Sequence, residues 1–120
     1  MKVLIIEDNP SSMKLVSDLL QISGCEVLEA MDAQLGINIA RAQQPAVILM
    51  DLQLPGMNGL KAIEVLKGDE KTRDIKVIAM TAFAMKGDRE RILAAGFDGY
   101  IAKPIRYKEL LSMLQDFTQK

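Results

Sequence analysis

Apolar and polar positions along the chain fall into two alternating kinds of segment. "KVLII" (2 to 6), "AVILM" (46 to 50) and "VIAM" (77 to 80) are short runs, apolar on both faces and bounded by polar or turn residues. That is the pattern of strands covered by helices on both sides. "CEVLE" (25 to 29) alternates and "YIA" (100 to 102) is very short, which places both at the edges of a sheet. Between these runs the spacing turns helical. Met13, Val16, Leu19 and Leu20 recur after Asn9-Pro10, an N-cap residue followed by proline at the first helical position, and Gly24 stops the helix. Similar periods are set by Ala33, Ile37 and Ala40 before Pro45, by Leu60, Ile63 and Leu66 before Gly68, by Ile92 and Ala95 before Gly96, and by Leu110, Leu111, Leu114 and Phe117.

Strand and helix thus alternate five times, which predicts a parallel sheet with right-handed crossovers and helices on both faces. Five units are too few for an eightfold barrel. The expected fold is therefore α/β, a doubly wound five-stranded parallel sheet in the order 2-1-3-4-5, the flavodoxin-like (βα)5 arrangement. The pattern runs from Met1 nearly to Lys120 without linker, repeat or low-complexity segment, the expectation for one domain over 1–120. Sheets of this kind bind ligands beyond the carboxyl ends of their strands, where the strand order reverses.

Composition narrows the chemistry. A formal net charge of −1 offers no basic field for nucleic acid or membrane. With no histidine, the chain cannot be a His-based general base, a His triad enzyme or a phosphohistidine carrier by itself. Cys25, the single cysteine, has no internal disulfide partner. No apolar stretch approaches the length of a bilayer span or follows a basic leader, so a cytoplasmic location is expected.

The candidate site lies at the strand ends. Strand one runs into Glu7-Asp8, strand three into Asp51, strand four into Thr81-Ala82 and strand five into Lys103-Pro104. An apolar run that ends on a carboxylate, as in "ILMDLQLPG" before its Pro-Gly turn, needs compensation costing several kcal/mol to do without. The fold would gather that compensation on one rim: three carboxylates, a hydroxyl and an ammonium. Clustered carboxylates with few protein oxygens and room for water suit Mg²⁺. Beside it, Asp51 has the properties of a phosphoryl acceptor, with Lys103, Mg²⁺ and the Thr81 hydroxyl plus Ala82 amide each neutralising one equatorial oxygen.

"EDN", "MDLQLP", "TA" and "KP", in this order, resemble the receiver domain of two-component response regulators, the CheY-like family, over essentially the whole chain. "TAFAMKGDRERI" (81 to 92) is similar to the DivK-like group of single-domain regulators. The resemblance implies that Asp51 takes a phosphoryl group from a phosphohistidine on a sensor histidine kinase or histidine phosphotransfer protein. It implies that Asp8 and Asp51 bind Mg²⁺ directly with the Gln53 carbonyl, that Glu7 assists, that Thr81 and Tyr100 form a switch pair, and that Lys103-Pro104 is a cis peptide. Such a chain is a signalling switch that catalyses only its own phosphorylation and dephosphorylation. With no output module in sight, the phosphorylated form acts on a downstream protein target or passes its phosphate onward. Glu7 stands where the family often has aspartate, and Gln53 and Phe83 stand where it tunes loss of phosphate. A bulky Phe83 would screen the acyl phosphate from water.

Each residue also has a purely structural reading. Glu7-Asp8-Asn9 suits the start of a helix, Thr81 suits a strand end or an N-cap, Lys103 a solvated loop, and Tyr100 a half-buried packing position. Met13, Met50, Met80 and Met113 fit core positions, whereas Met57 and Met85 fall in loops and would face a partner. Convergence of five such residues on the ends of the right strands favours the phosphoacceptor. A haloacid dehalogenase type of phosphohydrolase needs an aspartate two residues after the nucleophile, where this chain has Gln53. A docking module that is no longer phosphorylated would usually have lost an acid, the acceptor or the lysine. A flavodoxin-like carrier is undermined by the lack of tryptophan and of a phosphate-cradling loop after the first strand.

Overall fold

A computed structural model describes residues 1–54, 56–82 and 88–118. Pro55, Phe83 and Met85 lie outside them, and with them the expected Pro-Gly turn, the screening of the phosphate and one of the two loop methionines. The order of elements is β1 (Lys2–Ile6), α1 (Pro10–Ile22), β2 (Glu26–Ala30), α2 (Ala33–Gln43), β3 (Val47–Asp51), α3 (Gly59–Gly68), β4 (Lys76–Thr81), α4 (Asp88–Ala94), β5 (Gly99–Ala102) and α5 (Tyr107–Thr118). All four strand pairings are parallel, in the order β2-β1-β3-β4-β5, as the alternation predicts.

Strand alternation divides the core in two. Val3, Ile5, Val47, Leu49, Ile78, Met80 and Ile101 face α1 and α5, where they meet Met13, Val16, Leu20, Leu110 and Leu114. Leu4, Ile6, Ile48, Met50, Val77 and Ala79 face the other way, toward α2, α3 and α4. β1 and β3 are buried almost throughout, which is why their sequences read as continuous apolar runs rather than alternations.

Local chemistry sets most boundaries. Asn9 Oδ1 accepts from the amides of Ser11 (2.9 Å) and Ser12 (3.2 Å), and Pro10 begins α1 without an amide to satisfy. Gly24 follows this helix at φ +88°, a conformation open to glycine and strained for other residues. Asp32 and Asn58 cap α2 and α3 in the same way as Asn9.

Several finer expectations need correction. β2 begins at Glu26, one residue later than its apolar pattern implies. α3 continues through Gly68 and buries Gly59, Ala62, Ile63 and Leu66, while Leu60 is 46% exposed. α4 ends at Ala94, so Ala95 is outside it and exposed. Met57 is half-buried, with part of its side chain packed against the core cluster. Thr81 is the last residue of β4, and its N-cap reading falls on residues 83–87, which lie outside the described residues.

At the amino ends of β4 and β5, Lys67 of α3 is saturated by three acceptors: the carbonyls of Arg73 (3.3 Å) and Ile75 (3.0 Å) and Asp98 Oδ2 (3.1 Å). The same Asp98 oxygen accepts from the Val77 amide (2.9 Å), and the Asp98 amide donates back to the Val77 carbonyl (2.8 Å). One ammonium therefore ties together α3, the loop leading to β4, and the starts of both strands. Among the described residues no helix is long and apolar enough to cross a membrane.

Candidate functional site

The register explains how distant residues meet. Ile6 pairs with Met50 across β1 and β3, so one further step brings Glu7 level with Asp51. Both then continue the face of Ile5 and Leu49. On β4 and β5, Thr81 pairs with Ala102, and the Lys103 amide donates to the Thr81 carbonyl at 2.8 Å. Lys103 follows Ile101 by two residues and thus returns to the same face as the two acids. Its backbone is led away by a cis Lys103-Pro104 peptide, as the family resemblance implies.

Lys103 Nζ donates to Glu7 Oε1 at 3.0 Å and to Asp51 Oδ2 at 2.8 Å. Asp51 Oδ1 accepts from the Gln53 amide at 2.9 Å. Glu7, Asp8 and Asp51 offer three carboxylate oxygens that all lie within 4.8 Å of one another. Glu7 is fully buried and Asp51 is 6% exposed, whereas Asp8 is open to solvent. Gln53 contributes its backbone here, its side chain being exposed.

Burial and charge push these groups apart in proton affinity. Glu7 is raised to about 7, first by burial and then by closeness to Asp51, with which a protonated Glu7 can share its hydrogen; Lys103 acts in the opposite direction. Burial also acts to raise Asp51, but hydrogen bonds from Glu7, Lys103 and the Gln53 amide outweigh it and hold Asp51 below the usual range. Burial would lower Lys103, yet the two carboxylates prevail and keep it charged. The result is an ionised Asp51 beside a carboxyl poised near neutrality.

These residues fit a hard divalent cation. Glu7 Oε2 is buried and has no hydrogen-bond partner among the described residues, a costly state that a cation would relieve. Oxygen donors are what Mg²⁺ selects, and exposed Asp8 leaves room for the waters it retains.

Thr81 and Tyr100 occupy the opposite face of their strands from Lys103. Ala79 pairs with Tyr100, and Thr81 follows Ala79 by two, so both side chains turn toward α4. Thr81 is 3% exposed and Ala82, next at the rim, is exposed. Tyr100 is half-buried against the core cluster that contains Ala79, Ile92 and Phe97. A cavity of about 260 Å³ beside Thr81 is lined by Leu52, Gln53, Asn58 and Ile92 among others, and a smaller one of about 110 Å³ opens between α1 and Lys103-Pro104-Ile105. The rim is thus approachable from both sides.

Sequence reasoning missed two contributors. A Cβ on Gly59 would stand 2.8 Å from the Leu52 Cα and 3.1 Å from the Asp51 carbonyl, so only glycine lets α3 start this close to Asp51. Asn58-Gly59, an N-cap residue followed by a residue without a side chain, was the available signal. Arg89 is the second: its guanidinium lies 6.0 Å from the Tyr100 ring centroid, and nothing local in the sequence marks it.

Comparison with known proteins agrees with this geometry. Residues 3–115 match the family model described as the response regulator receiver domain. The polar-differentiation response regulator DivK of Brucella ovis is 44% identical over 115 residues, covering 96% of this chain and 94% of that protein. Among solved structures, the receiver domain of a Pseudomonas aeruginosa sensor histidine kinase superposes with a TM-score of 0.89 at 35% identity, covering 97% of this chain and 95% of that one, and carries a magnesium ion coordinated in its active-site cleft. The receiver domain of the Saccharomyces cerevisiae response regulator Ssk1, crystallised with the histidine phosphotransfer protein Ypd1, gives a TM-score of 0.90 at 25% identity, covering 98% and 88% of the two chains. A family match that spans every strand of the sheet, joined to near full-length identity with DivK, places this chain in the response regulator receiver domain family.

Proposed function

We propose that residues 1–120 act as one receiver domain of a two-component phosphorelay, in which Asp51 is the phosphoryl acceptor and the α4-β5-α5 surface is the output. The observation that carries this reading is the Lys103 bridge to Asp51 and Glu7, which keeps a nearly buried carboxylate ionised at the mouth of the sheet. One Asp51 carboxylate oxygen attacks the phosphorus of a phosphohistidine. The P–N bond breaks, its electron pair returns to the imidazole, and the ring takes up a proton. The chain's part is positioning and charge neutralisation, because the transferring group needs little else.

Lys103 moves its ammonium from the free carboxylate to a phosphoryl oxygen, and the Thr81 hydroxyl with the Ala82 amide serves another. Asp8 and Asp51, with the Gln53 carbonyl and with Glu7 assisting, would hold Mg²⁺, which when bound supplies positive charge against the phosphoryl oxygens. The orphaned Glu7 oxygen supports this assignment, as does the magnesium in the Pseudomonas relative.

Thr81, drawn toward the phosphoryl group, leaves space on the face that it shares with Tyr100, and inward movement of the Tyr100 ring reshapes the surface of α4, β5 and α5. The donor is a sensor histidine kinase or a histidine phosphotransfer protein, a reading supported by the Ssk1–Ypd1 complex, and the receiver of the signal is a downstream protein in the cytoplasm. The chain is a switch that acts on no substrate besides its own phosphoryl group. Incubation with Mg²⁺ and acetyl phosphate tests this: a hydroxylamine-sensitive adduct of one phosphoryl group is expected, and it disappears in Asp51→Asn. Multiple turnovers of phosphate esters without an adduct would identify a hydrolase instead.

A further inference from the structure

We propose that Arg89 latches the Tyr100 ring, acting as a positioning residue that weights the switch equilibrium toward the conformation described here. The inference rests on the reading of Tyr100 as the mobile partner of Thr81. Arg89 lies in the first turn of α4 with its guanidinium 6.0 Å from the Tyr100 ring centroid, at the outer edge of the range for cation–π attraction. The other arginine of this helix, Arg91, is engaged by Asp88 Oδ1 at 2.9 Å. Arg89 has no carboxylate partner among the described residues, so the ring is the group that its charge meets.

Among the described residues the ring has no polar tether. Its hydroxyl makes no hydrogen bond among the described residues, and its inner side rests on the apolar cluster containing Ala79, Ile92 and Phe97. Attraction to the ring face depends on where the guanidinium stands over it. Movement of the ring toward the side of Thr81 carries it out from under Arg89. The latch therefore favours the present position of Tyr100, and loss of the latch shifts the equilibrium toward the inward ring by about two- to fivefold.

The chain has only two tyrosines, Tyr100 and Tyr107, so fluorotyrosine labelling gives two fluorine NMR signals. These are recorded for wild type, Arg89→Met and Arg89→Lys, before and after addition of Mg²⁺ and acetyl phosphate. In unphosphorylated Arg89→Met, the Tyr100 signal is expected to move part of the way to its phosphorylated position. Arg89→Lys, which keeps a cation, recovers much of the wild-type position, and Tyr107 is unchanged. Coincident Tyr100 signals in wild type and Arg89→Met would overturn the latch. So would a lysine variant identical to the methionine variant, or an equal shift of Tyr107, which would mark general loosening. A wild-type Tyr100 signal that stays put while Asp51 is phosphorylated would remove the switch reading and the latch with it.

Discussion

Glu7 gives the sharpest quantitative prediction. In this fold its carboxyl is raised from 4.5 to about 7 by burial and by Asp51. A group whose folded value exceeds its unfolded value stabilises the fold fully below the unfolded value and loses that contribution as pH rises through the folded one. The window here is pH 4.5 to about 7. The spread between the two values corresponds to a loss of about 3 kcal/mol by pH 8, or roughly 10 °C in Tm for a domain of this size. Asp51 is shifted the other way, so its contribution is present above its unfolded value and disappears only in stronger acid, outside this window. Thermal unfolding in chelator between pH 5 and pH 8 reads the effect, with Glu7→Gln as the control, since glutamine keeps the shape and does not titrate. The wild-type Tm should fall across the window and the variant's curve should be flatter by most of that amount. Added Mg²⁺ should restore more stability to the wild type at pH 8 than at pH 5. Parallel pH profiles for the two proteins in chelator would refute the reasoning.

Other perturbations follow from particular contacts. Lys103→Met leaves Glu7 and Asp51 facing one another without their shared cation, and urea denaturation at pH 8 should show a loss of about 3 kcal/mol, smaller at pH 5.5 where Glu7 holds its proton. Gly59→Ala forces the start of α3 away from the Leu52 backbone, at about 1–3 kcal/mol, and should slow phosphorylation of Asp51 by acetyl phosphate. Gly36→Ala would drive its Cβ into the fully buried Ile6 side chain; a similar loss is expected in the same denaturation assay, without the effect on phosphorylation. Lys67→Met strips two carbonyls and Asp98 of their shared donor and should cost about 1–3 kcal/mol.

Much of the fold was legible because its signals are local. The runs at 2–6, 46–50 and 77–80 announce strands buried on both faces, and Asn9-Pro10 announces the start of α1. The gathering of Glu7, Asp8, Asp51 and Lys103 was also legible, since a parallel sheet brings the ends of its strands to one rim. What escaped depends on contacts between elements. Leu60 has the right spacing for a core residue, yet the face of α3 turned to the sheet is set by Gly59 against Leu52, and Leu60 falls outside it. Met57 reads as a plain loop residue, yet part of its side chain packs against the core cluster. The full burial of Glu7, and with it a carboxyl poised near neutrality, requires knowledge of what covers it. The position of Arg89 over Tyr100 joins residues from two elements and leaves no mark in either segment alone.

The Lys67 knot has a mechanical consequence. It pins β4 and β5 at Val77 and Asp98, the ends farthest from Asp51, while Thr81 and Ala102 at their opposite tips are joined to each other as the last rung of the ladder. Two strands clamped at the base and laddered to the tip cannot slip past one another. Rearrangement at the tips is thereby kept in the rim and α4, and the strands cannot absorb it by changing partners.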